Sequence, residues 1–196
     1  MKRIFDVVFS FVVLIVFLPV GIIIALLIML SSPGGIFYKQ ERIGKNSMPF
    51  MLYKFRSMRV NSDRSGTLTV GMKDSRITKI GVFIRKYKLD EFPQFINVLF
   101  GTMSVVGPRP EVREFVELYT QEQRKVLNVK PGITDYASLE YFNENEILAQ
   151  SSDPKKTYIE EVMPHKILIN QKYLINPSFG HDLKIIAKTI KRIVFY

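Results

Sequence analysis

Between Arg85 and Pro110 the chain reads RKYKLDEFPQFINVLFGTMSVVGPRP, which places two adjacent carboxylates, Asp90 and Glu91, among fixed cations. The pair follows a basic amphipathic segment in which Ile77, Ile80, Ile84 and Tyr87 recur at helical spacing, and it opens a second apolar run from Phe92 to Phe100. Asp90 is therefore expected as the N-cap of a helix over Asp90–Phe100. Pro93 fits the first turn, where its missing N–H would have no intrahelical partner. By itself an Asp-Glu pair opening a helix is commonly a cap and a dipole complement. A second element shifts the reading toward phosphate chemistry: in Gly107-Pro108-Arg109-Pro110 two prolines pin the backbone on either side of one guanidinium. An arginine held so rigidly loses little entropy on gripping a phosphate.

The elements that must position these groups begin with an apolar N-terminus. Val7 to Tyr38 is 32 residues without a charge. The run is long for a signal peptide, and Leu30-Ser31-Ser32-Pro33-Gly34-Gly35 lacks a small-x-small cleavage pattern. Pro19, followed by Gly21, removes a backbone hydrogen bond near the middle of the run and kinks it there. Lys2 and Arg3 precede the segment while Lys39, Arg42 and Lys45 follow it, so a spanning helix would set one basic cluster on the wrong side. The residues leave two readings open, a kinked span and a re-entrant helix that returns to the face it came from.

Downstream, Ile36 to Met58 alternates weakly around Gly44-Lys45-Asn46-Ser47 and reads as a β-hairpin. Asn61 to Lys73 reads as a polar loop, and Glu111 to Asn128 as one helix with Val112, Phe115, Tyr119 and Val126 on one face. Glu144, Glu146 and the Glu160-Glu161 pair read as solvated charge rather than metal ligands. From His181 to Tyr196, Leu183, Ile186, Ala187, Ile190 and Ile193 form an apolar stripe beside Lys184, Lys188 and Lys191, the pattern of a helix on lipid headgroups.

Composition narrows the partners. The 196 residues carry 28 Lys and Arg against 18 Asp and Glu, net +10. From Lys39 to Glu91 thirteen basic and five acidic residues give net +8, so the excess lies just after the apolar segment, where membrane phosphates would be. Nucleic acid is not expected as a partner, because a 32-residue uncharged run has no place in a soluble recognition element. There is no cysteine, and His165 and His181 fall in no ligand-like cluster.

These motifs together resemble the bacterial sugar transferases that are monotopic phosphoglycosyl transferases. The resemblance runs from the apolar segment broken at Pro19 through Gln40-Glu41-Arg42-Ile43-Gly44, Tyr53-Lys54-Phe55-Arg56-Ser57-Met58, Arg85, Leu89-Asp90-Glu91 and Pro108-Arg109-Pro110 to Pro131-Gly132-Ile133-Thr134. It implies an α+β, mostly helical fold: a re-entrant membrane helix broken at Pro19 (residues 1–35), then a membrane-associated catalytic domain (36–196) with a small β-hairpin and several amphipathic interfacial helices. The implied reaction moves a sugar 1-phosphate from a UDP-sugar to polyprenyl (undecaprenyl) phosphate on the cytoplasmic face of the bacterial inner membrane, releasing UMP. Asp90 would be the nucleophile, with Glu91 assisting in metal placement or proton handling and Mg²⁺ held near both. Arg109, Arg85, Lys54 and Arg56 would contact phosphates, with Pro108 and Pro110 framing Arg109, and Pro131–Thr134 would be a rigid turn near the nucleotide. Inner-membrane lipids are implied partners, and the pattern leaves room for a homodimer without demanding one. The chain departs from better-known relatives in having Leu18 where many have Ser before the proline. It also has Asp135-Tyr136-Ala137-Ser138-Leu139 where they continue Gly-Trp-Ala-Gln-Val, so sugar identity does not transfer. The rival reading is a non-catalytic membrane scaffold of a polysaccharide-assembly complex, which would have no use for the Asp-Glu pair and its arginines; a glycosyl transferase proper would release UDP instead of UMP.

Overall fold

The computed structural model describes residues 1–62, 68–71 and 74–195. Most of the loop expected over Asn61–Lys73, and Tyr196, the last residue of the helix expected over His181–Tyr196, lie outside them. The chain opens with one 30-residue helix, α1 (Lys2–Ser31), whose helical hydrogen bonding continues past Pro19. It is long and apolar enough to cross a membrane. Most of its apolar side chains are exposed, and only Asp6, Ser10, Ile24 and Ile28 are buried.

Strands β1 (Phe37–Ile43) and β2 (Pro49–Phe55) form the expected antiparallel hairpin, with Tyr38 opposite Lys54. The connecting turn passes through Asn46 at φ 56, a left-handed conformation that Asn tolerates better than most residues. Helix α2 (Lys79–Lys86) is capped by Thr78, whose hydroxyl accepts from Gly81 N–H, and α3 (Gln94–Phe100) follows after a tight turn. Next come strand β3 (Ser104–Val106), the short helix α4 (Arg113–Val116), and strand β4 (Gly132–Thr134), which pairs in parallel with β3. Helices α5 (Tyr136–Glu140), α6 (Glu144–Ala149) and α7 (Pro154–Thr157) lead through a π-helical stretch, Tyr158–Val162, into α8 (Met163–Ile175). The described chain closes with α9 (Phe179–Val194).

Several expectations are corrected. Asp90 is not a helix N-cap: it lies inside a 3₁₀ turn, Leu89–Glu91, and α3 begins only at Gln94, after Pro93. The segment Glu111–Asn128 is not one helix. Thr120 and Gln123 exchange side-chain bonds with each other's backbone N–H, 2.9 and 3.2 Å, which ends α4's path and starts a 3₁₀ run over Gln123–Asn128. Val112, Phe115, Tyr119 and Val126 are nonetheless all buried in one core, because burial follows the apolar residues whatever backbone carries them. Pro131–Thr134 is no turn; three of its residues are strand β4. In α9 the inward face is Asp182, Ile185 and Ile186, so of the anticipated apolar stripe only Ile186 is buried while Leu183, Ala187 and Ile190 remain exposed.

Three apolar clusters hold the parts together: one around α4, α8 and the π-helical stretch, one joining β2, β3, α3 and α9, and one in which Ile24 and Ile28 of α1 pack with Phe55 and Ile84. Asn97 of α3 pins the hairpin, donating from Nδ2 to Met51 O at 2.7 Å and accepting from Tyr53 N–H at 3.0 Å. Both ends of α1 are fastened to this domain. At the start, Lys2 Nζ reaches Asp182 Oδ2 at 2.6 Å and Val106 O at 3.0 Å, Arg3 donates to Val98 O and Leu99 O, and buried Asp6 accepts from Ser104 Oγ (2.8 Å) and Val105 N–H (3.1 Å). At the far end Arg56 donates to the carbonyls of Ser32 and Pro33. A 30-residue helix extends about 45 Å, so the domain lies along its length.

Candidate active site

A cleft of about 930 Å³ opens between the hairpin, the 3₁₀ turn and the carboxyl-terminal helices. Its polar end holds Lys54, Arg85, Asp90, Glu91 and Arg109, and its other walls include Phe17 of α1 with Ile190 and Val194 of α9. A single concavity thus joins a charged floor to an apolar flank.

Glu91 organises the charged floor. Lys54 Nζ donates to Glu91 Oε1 at 3.1 Å, Arg109 Nη1 donates to Oε2 at 3.1 Å, and Arg109 Nη2 donates to Oε1. The Glu91 side chain is 13% exposed, so these are substantially desolvated contacts. Burial alone would push the Glu91 carboxyl up, but Arg109 and Lys54 outweigh it and hold it well below the usual carboxylate range. Glu91 in turn raises Arg109. Burial lowers the Lys54 ammonium, and Glu91 offsets only part of that.

Asp90, one residue away, is treated in the opposite manner. It is 5% exposed, yet it accepts no hydrogen bond and forms no ion pair with a described residue. Burial raises its pKa, with Glu91 adding to the rise and Lys54, Arg85 and Lys88 opposing it. The two neighbours therefore differ in role: one carboxylate is committed to protein cations, the other is left open toward the cleft.

The arginine between prolines is set by tertiary contacts as well as by its flanks. Arg109 N–H donates to Asp135 Oδ2 at 2.8 Å, while Asp135 Oδ1 caps α5 through Ser138 N–H. Pro110 O accepts from Arg42 Nη1 at 3.1 Å, and Pro108 O accepts from Gly132 N–H at 3.0 Å. Gly107 N–H reaches Thr134 O at 3.1 Å, so the Gly107–Pro110 and Pro131–Thr134 motifs form one β3–β4 unit. The contact is close enough that a Cβ on Gly132 would lie 2.1 Å from Gly107 N.

The remaining expected site residues divide. Arg85 lines the cleft and touches Ser57 Oγ at 3.4 Å. Arg56, expected among the phosphate-binding cations, also borders the cleft, but both terminal nitrogens donate to the carbonyls that end α1, so the structure gives it a fastening contact. Pro108 and Pro110 are buried and act through their backbone. Glu144 is no solvated charge: it pairs with Lys166 at 2.6 Å at the border of the cleft. Sequence reasoning missed Asp6, Asn97 and Lys88, and read Asp135 only as a departure; a lone polar residue inside an apolar pattern was the available signal for the first two. Among the described residues no group of three or more His, Asp or Glu is placed to hold a metal.

A buried open carboxylate, desolvated cations and an adjoining apolar wall, beside a long exposed apolar helix, suit a protein that handles anionic groups carried on apolar partners. The chain belongs to the bacterial sugar transferase family, whose profile matches residues 1–196. It is 37% identical over 98% of its length to the UDP-N-acetylgalactosamine-undecaprenyl-phosphate N-acetylgalactosaminephosphotransferase of Aeromonas hydrophila, covering 43% of that protein. With the UDP-glucose:undecaprenyl-phosphate glucose-1-phosphate transferase of Escherichia coli K12 it shares 35% over 97% of its length, covering 39% of that protein. The chain thus spans about two fifths of these two relatives. The exopolysaccharide production protein PSS of Rhizobium leguminosarum is matched over 93% of its own length at 41% identity.

Proposed function

We propose that this protein transfers a sugar 1-phosphate from a UDP-sugar to polyprenyl phosphate, the first membrane step in building a bacterial glycoconjugate. The observation that carries this reading is the division of labour between Asp90 and Glu91: Glu91 pairs with Lys54 and Arg109, leaving the cluster net positive, and Asp90 stays without a hydrogen bond or ion pair to a described residue in a buried position facing the cleft. The Aeromonas and Escherichia relatives are named for transfers of this kind, which agrees with it.

In the proposed mechanism an Asp90 carboxylate oxygen attacks the phosphorus that bears the sugar. The bond from that phosphorus to the bridging oxygen breaks, and UMP leaves with its electron pair. The resulting acyl phosphate is reactive enough for a second displacement. A phosphate oxygen of the polyprenyl acceptor attacks the same phosphorus, Asp90 departs as a carboxylate, and polyprenyl diphosphate sugar is formed. Arg109, Lys54 and Arg85 offset the anionic charge that would otherwise repel the nucleophile. Burial makes Asp90 a stronger base and a better nucleophile than an exposed aspartate.

Mg²⁺ suits this donor set, because it is commonly held by one or two carboxylates plus substrate phosphates, and Asp90 offers open oxygens beside Glu91. When bound it would neutralise diphosphate charge as a Lewis acid.

A soluble donor and a lipid acceptor meet only at a bilayer surface, and α1 supplies the anchor. The fastening of Lys2, Arg3 and Asp6 at one end and of the Ser32 and Pro33 carbonyls at the other supports a re-entrant segment over residues 1–35, with Pro19 at its break. The catalytic part, 36–196, would then lie on the cytoplasmic face of the inner membrane.

The test is nucleotide release by the purified, detergent-solubilised protein with Mg²⁺, undecaprenyl phosphate and either UDP-N-acetylgalactosamine or UDP-glucose. UMP is expected from the intact protein and not from Asp90→Asn. Release of UDP, or equal UMP release by the variant, would refute the reading.

A further inference from the structure

Most cations of the cleft are already engaged. Lys54 and Arg109 serve Glu91, Arg56 holds the end of α1, Arg42 donates to Gln40 and Pro110, and Lys166 pairs with Glu144. Lys88 differs. It is half-buried in the cleft wall, two residues before Asp90, and has no ion pair or side-chain hydrogen bond with any described residue. Its contact is with a ring: Lys88 Nζ lies 5.0 Å from the centroid of Phe142, and the Arg192 guanidinium of α9 lies 5.2 Å from the same centroid. A cation over an aromatic face is held in place while its donors stay available.

The backbone at Lys88 is unusual as well. Its φ of 55 places a long side chain in the left-handed region, which costs free energy for a non-glycine residue without a local side-chain bond. That conformation starts the 3₁₀ turn carrying Asp90 and directs the chain so that Lys88 and Asp90 share one cleft. The Lys88 charge is felt by both Asp90 and Glu91.

We infer that Lys88, held by the Phe142 ring, is a phosphate-binding residue of the cleft. The inference rests on the proposed phosphosugar transfer for the identity of its ligand: the phosphate belongs either to the lipid acceptor or to the nucleotide donor. The link through Phe142 to α9, whose Ile190 and Val194 are exposed and line the same cleft, favours the lipid phosphate, since an isoprenoid tail needs an apolar wall beside its head.

The experiment compares Lys88→Gln and Lys88→Arg with the intact full chain in detergent. Steady-state UMP release is measured against undecaprenyl phosphate and against the UDP-sugar, alongside equilibrium binding of undecaprenyl phosphate without donor. Loss of one charged phosphate contact is expected to raise the KM and Kd for undecaprenyl phosphate about tenfold in Lys88→Gln, with Lys88→Arg restoring most of it. A rise confined to the UDP-sugar KM would assign the contact to the donor diphosphate and still support phosphate binding. Unchanged KM values for both substrates and an unchanged Kd would overturn the inference. If the intact protein releases no nucleotide, phosphosugar transfer fails, and the binding comparison alone decides Lys88: a weakened Kd upholds the contact and an unchanged one removes it.

Discussion

Replacing Asp90 by Asn should abolish turnover and at the same time stabilise the fold. The carboxylate is 5% exposed and receives no hydrogen bond from a described residue, so its negative charge is borne without compensation beyond the diffuse attraction of Lys54, Arg85 and Lys88. Burial is the dominant influence and raises its pKa, with repulsion from Glu91 in the same direction. Linkage gives the sign. A carboxyl whose folded pKa lies above its unfolded value favours the fold fully only below that unfolded value, and the benefit is lost as pH rises through the folded pKa. At neutral pH the charged form is a net burden, and each pKa unit of elevation corresponds to about 1.4 kcal/mol. Asparagine keeps the shape and removes the charge. Relief of about 1 kcal/mol would raise Tm by about 2–4 °C in a chain of this size. Thermal unfolding in detergent with EDTA, from pH 3.5 to 8, is the assay. Wild type and variant should nearly coincide at the acid end and separate progressively toward neutrality. An Asp90→Asn protein that melts below wild type at pH 7.5 would show that the carboxylate is a structural partner, and the nucleophile assignment would lose its physical basis.

Other perturbations sample the scaffold around it. Glu91→Gln leaves Lys54 and Arg109 without their counter-charge and should lower stability by about 1–3 kcal/mol, discounted toward the lower end by the 31% exposure of Arg109. Because Glu91 sits well below its ordinary pKa, its stabilisation is present above the unfolded carboxylate value and fades only as pH falls through the folded one, so the Tm difference should stay flat between pH 6 and 8; a difference that vanished there would contradict the ion-pair reading. Gly132→Ala would force a Cβ to within 2.1 Å of Gly107 N and separate β3 from β4, with expression of folded protein the readout; wild-type yield and Tm would refute that close approach. The chain has no cysteine, so Lys2→Cys and Lys39→Cys can be labelled singly in spheroplasts and inverted vesicles. Re-entry of α1 expects both to react with an impermeant maleimide from the cytoplasmic side only, whereas a spanning helix would place them on opposite sides.

Much of the local chemistry was legible in the residues themselves. The uncharged run from Val7 marked the N-terminus as a candidate membrane segment, and most of it forms the long, largely exposed apolar helix α1. The hairpin around Asn46, the Asp90-Glu91 pair and the arginine between Pro108 and Pro110 were visible because proline, glycine and alternation act over a few residues. Boundaries were less so: the apolar spacing of Val112, Phe115, Tyr119 and Val126 identified a core face correctly while the helix drawn through it was broken by Thr120 and Gln123. What only the tertiary structure decided is which charges meet. Lys54 and Arg109 lie 37 and 18 residues from Glu91, and their convergence leaves Asp90 unpaired, a distinction between adjacent carboxylates that sequence spacing does not encode. Likewise Asp6 bonding to Ser104 and Val105, or Arg56 holding the end of α1, depends on elements nearly a hundred residues or two dozen residues apart being packed together. Turn preferences act through neighbours in the chain, whereas the pairing of charges depends on where packing brings distant elements, and at this site packing gives Asp90 and Glu91 their different roles.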